Sequence, residues 1–127
     1  MNDERYERGL KNYNQVMEGR PQQVITEYGD IAPDFARYVV EFAYGDIYAR
    51  PTLDIKTREM LAIASLATLG YAQGQLRTHI HGALNNGCTH EEVIEILLQV
   101  AIYAGFPAVF NALNVAKSVF AERAPMS

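Results

Sequence analysis

TREMLAIASLATLGYAQGQLRTHIHGALNNG, running from Thr57 to Gly87, is the stretch whose reading decides the fold. One carboxylate, Glu59, stands ahead of an almost unbroken apolar run, Met60 to Leu69. The chain then turns at Gly70, and a second segment carries Gln75, Arg77, His79 and His81 before Asn85-Asn86-Gly87 ends it. The first segment reads as a helix over 55–69. A helix apolar nearly all round is buried on every face, and in so short a chain that predicts a subunit interface along one side. Ionisable groups in this stretch fall where periodicity predicts burial or near-burial. Chemistry concentrates at such places, although structural ion pairs give the same pattern.

The second segment reads as a helix over 72–86, with Gly87 suited to end it in a left-handed conformation. At 100° per residue, Leu76, Ile80 and Ala83 define its apolar stripe. His79 lies about 60° from Leu76, on the flank of that stripe, with Gln75 one turn below it. His81 lies about 140° from Leu76, on the far side. The two histidines, about 200° apart, cannot chelate one metal as an i,i+4 pair can, and no second ligand spacing occurs. No metal site is expected.

Outward from this stretch the pattern stays helical. Tyr6, Leu10, Tyr13 and Met17 fall at spacings of three and four, predicting an amphipathic helix over 3–18 that ends at Gly19-Arg20-Pro21. A short helix is allowed over 22–28. Asp30-Ile31-Ala32-Pro33 starts the next, which runs through Phe35, Tyr38, Val39, Phe42 and Ile47 with Gly45 as a weak point. Asp54 is a plausible N-cap for the helix that carries Glu59. Thr89-His90-Glu91-Glu92 is a capping box ahead of an apolar helix to Ala104. Gly105-Phe106-Pro107 breaks the chain, and a last helix runs to about Arg123. No hairpin signal or sustained two-residue alternation appears. The expectation is an all-α fold of six or seven helices in a single domain, 1–127.

The chain has 127 residues and a formal net charge of −4, so no basic footprint argues for nucleic acid. No Lys/Arg cluster points to a membrane surface, and the longest apolar stretches are too short to span one. The charged start, MNDERYERGLKN, has no apolar core and does not read as a secretory signal. A single cysteine, Cys88, cannot make an internal disulfide, so a reducing, cytoplasmic setting is expected.

Each candidate residue has a bland reading beside the functional one. Glu59 is either a carboxylate near a helix start or one held at the edge of an apolar pocket and able to move protons. His79 is either a structural histidine or a catalytic one. Arg58 and Arg77 are either solvated or a clamp for a carboxylate substrate. Tyr44 and Asp46, in FAYGDIY, are either packing and solvated face or a pocket wall. Cys88 has no second cysteine to resolve an oxidised thiol and reads as inert.

FAYGDIYARPTLDIKTREMLAIASLATLG, followed by QLRTHIHGALNNGCTHEEVIEILLQVAIYAGFPA, resembles the carboxymuconolactone decarboxylase family, over about Glu4 to Lys117. The resemblance implies an all-helical fold shared with the alkyl hydroperoxidase D proteins, assembled as trimeric or hexameric rings with sites near subunit contacts. It implies decarboxylation of 4-carboxymuconolactone to the 3-oxoadipate enol-lactone, without a cofactor, in aromatic degradation. On that reading His79 donates the proton or steadies the oxyanion, Glu59 orients His79 or relays the proton, and His81 and Arg77 assist across a subunit contact. Arg58, Tyr44, Asp46 and Gln75 are candidate substrate contacts. In the hydroperoxidase branch a Cys-x-x-Cys pair precedes the histidine matching His79. Here those positions match Ala72 and Gln75, which counts against peroxide reduction. Gln75 stands where the decarboxylases often have an acidic residue, leaving room for a non-catalytic ligand-binding oligomer.

Overall fold

The computed structural model describes residues 3–18 and 23–125. Every regular element among them is helical: α1 (Asp3–Val16), α2 (Gln23–Tyr28), α3 (Pro33–Tyr38), α4 (Ile55–Leu69), α5 (Gln73–Asn85), α6 (His90–Ala104) and α7 (Phe106–Arg123). The all-α expectation holds. The break at Gly19-Arg20-Pro21 and the start of the second helix at Gln22 lie outside the described residues. The chain folds as two compact units, Met1–Ile55 and Lys56–Ser127.

In the first unit α3 continues directly into a π-helical stretch, Val39–Ile47, and α1 packs on that stretch. Gly45 is a close-approach site here, not the weak point its sequence setting predicts. A Cβ at Gly45 would lie 2.7 Å from the Arg5 carbonyl oxygen, and one at Gly9 would lie 2.0 Å from that of Val40. The two glycines let the backbones meet. Side chains of α1 then satisfy carbonyls late in the π-helical stretch, where helix ends leave them orphaned. Arg8 Nε donates to the Gly45 oxygen at 2.7 Å, and Asn12 Nδ2 to the Tyr44 oxygen at 2.8 Å. Tyr13 and Tyr44 meet edge to face, 5.2 Å between ring centres, and Val16 completes the buried core.

In the second unit α4 to α7 enclose a core of Ile63, Ala67, Leu76, Ile80, Val93, Leu97, Val109, Ala112, Ala116 and Val119, among others. Gly70 (φ +81°) turns the chain between α4 and α5, and Gly87 (φ +97°) follows α5 as its position predicts. The capping box forms: Glu92 N donates to Thr89 Oγ1 at 3.0 Å, and Thr89 N to Glu92 Oε1 at 2.9 Å. Pro107 sits in the first turn of α7. Not every face of α4 is buried within the chain: Glu59, Ile63 and Ala67 form the buried stripe, whereas Leu61 and Leu69 are about half exposed. No helix among the described residues is long and apolar enough to cross a membrane.

The glycines give a stability test with two signs. Gly9→Ala forces a methyl into the Val40 carbonyl, and thermal denaturation should show a loss of about 1–3 kcal/mol or more. Gly74→Ala, in α5 with open space around its Cβ, should instead be neutral or stabilise by up to about 1 kcal/mol.

Candidate active site

The site starts from a carboxylate in the core. Glu59, Ile63 and Ala67 recur every fourth residue on α4, so they share a face, and that face is the buried one. Glu59 is fully buried, at 0% exposure. An ionised carboxylate withdrawn from water is costly unless it is paired and hydrogen-bonded. One partner comes from α5: His79 Nδ1 lies 2.7 Å from Glu59 Oε1. His79 stands on the flank of the α5 stripe and keeps 18% of its side-chain surface exposed. With Glu59 as the carboxylate, Nδ1 carries the ring proton and donates it. Nε2 is then left to accept or deliver a proton at a bound molecule. A buried carboxylate holding one imidazole nitrogen so that the other can work is the geometry of a positioned acid–base group.

The other α5 candidates face elsewhere. Arg77 and His81, one turn apart, lie against α7. Arg77 Nη1 donates to Ser118 Oγ at 3.1 Å, and Arg77 Nη2 pairs with Glu122. The far side of the stripe, where the spacing puts His81, proves to be covered by α7, so His81 is buried at 9% exposure. Arg123 Nη1 lies 3.1 Å from His81 Nδ1, and Glu122 Oε2 lies 3.1 Å from His81 Nε2. A guanidinium only donates. Nδ1 is therefore the acceptor, and the Nε2 proton goes to Glu122. The structure thus separates residues that the sequence reading groups together: His79 goes to α4, and Arg77 and His81 go to α7.

Gln75 lies one turn before His79 on the same side of α5 and is exposed. Arg58 is half-buried beside Glu59 on α4. Tyr44 and Asp46 belong to the first unit. Tyr44 is a core residue there, at 4% exposure. Asp46 accepts from Arg5 Nε at 2.9 Å and from Arg5 Nη2 at 2.7 Å, with Arg8 at 3.8 Å. The hydrogen bonds from Arg5 hold the Asp46 carboxyl below its ordinary range.

Glu122 and Arg123 escape the sequence reading, although a signal was available for the first. An acidic residue in the last turn of a helix opposes the helix dipole, so Glu122 needs a local partner. It has two, Arg77 and His81. Cys88 is buried at 5% exposure, and burial raises its thiol pKa, with Glu92 nearby adding to the shift. Iodoacetamide at neutral pH should therefore alkylate native Cys88 at least about tenfold more slowly than the unfolded chain, read by intact mass over time.

The carboxymuconolactone decarboxylase family model matches residues 33–118. Over 124 residues, 96% of this chain and 92% of the relative, the sequence is 36% identical to the 4-carboxymuconolactone decarboxylase of Acinetobacter baylyi. It is 40% identical over 82 residues to the nitrosuccinic acid decarboxylase of Metarhizium robertsii, covering 61% of this chain and 53% of the relative. It is also 36% identical over 93 residues to an uncharacterised 15.0 kDa protein of Paracoccus denitrificans, covering 72% and 69%.

Proposed function

This chain belongs to the carboxymuconolactone decarboxylase family, and we propose that it is a carboxy-lyase acting without a cofactor on 4-carboxymuconolactone or a related carboxylated lactone, to give the 3-oxoadipate enol-lactone or its counterpart. Relatives named as decarboxylases support the reaction type. The observation that carries the reading is the 2.7 Å contact between a fully buried carboxylate and a partly exposed imidazole.

The substrate can serve as its own electron sink. The bond to the carboxylate carbon breaks, CO2 leaves, and the electron pair moves into the conjugated lactone carbonyl as a dienolate. His79, protonated at Nε2, returns a proton to carbon and is reprotonated from solvent, so one proton is consumed for each CO2 released. Glu59 holds the ring through Nδ1 and so aims Nε2 at the substrate while charge builds there. Arg58 is a candidate guanidinium partner for the substrate. The thiol route has little support: positions 72 and 75 are alanine and glutamine, and Cys88 is buried with its thiol pKa raised. With that cysteine left as a thiol, we place the enzyme in the cytoplasm.

We further propose that the working form is a trimer or hexamer. Leu98, Ile102 and Tyr103 on α6, with Phe106 and Phe110 on α7, are between 50% and 87% exposed. Exposed apolar clusters of this kind mark interaction surfaces. Light scattering at micromolar concentration should give three or six times the 14.2 kDa chain mass. A mass near one chain would refute assembly.

His79→Gln keeps bulk and a hydrogen-bonding group but cannot move the proton. Its turnover of carboxymuconolactone should fall by about 10²–10⁴-fold with melting temperature and mass unchanged. Glu59→Gln should also lose turnover, and His81→Gln should cost less turnover than either while lowering the melting temperature. Normal turnover in His79→Gln would remove His79 from the mechanism, whereas no turnover by the unaltered protein would favour a ligand-binding role.

A further inference from the structure

Helices α5 and α7 meet along a polar seam. On α5 Gln73, Arg77 and His81 recur every fourth residue; on α7 Asn111, Asn114, Ser118 and Glu122 recur every third or fourth. Each set therefore shares a face. At one end the seam closes on itself, as His81, Arg77, Ser118, Glu122 and Arg123 satisfy one another. At the other end it opens into a groove of about 410 Å³ lined by Gln73, Gly74, Arg77, Asn111, Asn114, Val115 and Ser118. That volume falls within the range of small-molecule sites. Val115 is its one apolar side chain, and none of the lining residues is acidic.

We propose that this groove binds a small carboxylate, gripped by Arg77 and by the side-chain amides of Gln73, Asn111 and Asn114. Arg77 stands where the closed and open halves meet, and a third of its side-chain surface, 33%, remains exposed. Guanidinium–carboxylate pairing is both strong and oriented. The charge around the seam favours an anion: among the described residues its closed end sets two guanidinium groups, Arg77 and Arg123, against the carboxylate of Glu122. The first turn of α5, whose N-cap Ala72 offers no side-chain acceptor, adds positive potential at the open end. Asparagine is a poor helix-interior residue, yet α7 places two, Asn111 and Asn114, along this one face. Beside them Gly74 leaves the α5 backbone uncovered, since a Cβ there would meet nothing within 4 Å. The site is separate from the Glu59–His79 pair, because Arg77 and His79 project about 160° apart around α5.

Binding is read without reference to turnover, so the outcome is independent of the proposed reaction. Succinate is titrated into the full-length protein labelled with ¹⁵N, with the uncharged succinamide as control. The side-chain amides of Gln73, Asn111 and Asn114 and the Nε–H of Arg77 should shift saturably with succinate and not with succinamide, while the His79 ring stays unmoved. Asn114→Leu and Gln73→Leu replace exposed residues, and each should weaken succinate at least about tenfold at unchanged melting temperature. Should one variant lose stability, the other decides. The proposal is overturned by the absence of saturable shifts, by equal response to succinamide, or by unchanged affinity in the stably folded variants.

Discussion

A carboxylate buried at 0% exposure governs the second unit. Glu59 lies on the same α4 stripe as Ile63 and Ala67, where any packing argument would place an apolar side chain. Taking a charged carboxylate out of water costs several kcal/mol unless a partner compensates it. Part of that compensation comes from α5, rotated so that His79 Nδ1 reaches Glu59 Oε1. That rotation also sets where every other α5 side chain points. Leu76 and Ile80 enter the core, Gln75 and His79 share one flank, and Arg77 and His81 face α7.

The division of α5 gives one helix two chemistries. On the α4 side the Glu59–His79 hydrogen bond leaves an imidazole nitrogen for proton transfer. On the α7 side several groups with fixed donor and acceptor roles tie the end of α7 to α5. Glu122 is the centre of that second network. It opposes the dipole of its own helix, but it compensates Arg77 and accepts the Nε2 proton of His81. The same seam turns from closed to open within two turns, because α7 ties itself to α5 through Ser118 and Glu122 but lines the groove with the amides of Asn111 and Asn114.

The first unit solves a different problem. A π-helical stretch is rare and usually confined to a single turn, and it persists over Val39–Ile47 because α1 supports it. Two glycines allow the close approach, and Arg8 and Asn12 take up carbonyls late in the stretch. The charge of Asp46 is absorbed by Arg5 and Arg8. Arg5 also reaches Glu41, so one guanidinium ties two points of the π-helical stretch to α1.

Local physics was legible in the sequence alone. Helix ends declare themselves through Pro107, the Thr89–Glu92 capping box and Gly87, because caps and left-handed glycines act over a few residues. The apolar stripe of α5 follows from a fixed angle per residue. Glu59 and His79 could be named as candidates for the same reason, each being an ionisable group at a position of expected burial. Periodicity does not report which neighbour covers a given face. Tertiary structure alone decided that α7 lies over the far side of α5, burying His81 and pairing Arg77 with Glu122. It alone turned Gly45 from a weak point into a contact and drew Glu122 into a network with residues some 40 positions earlier in the chain. Those outcomes depend on pairings between distant segments, and the spacing of residues along one helix carries no information about its partner.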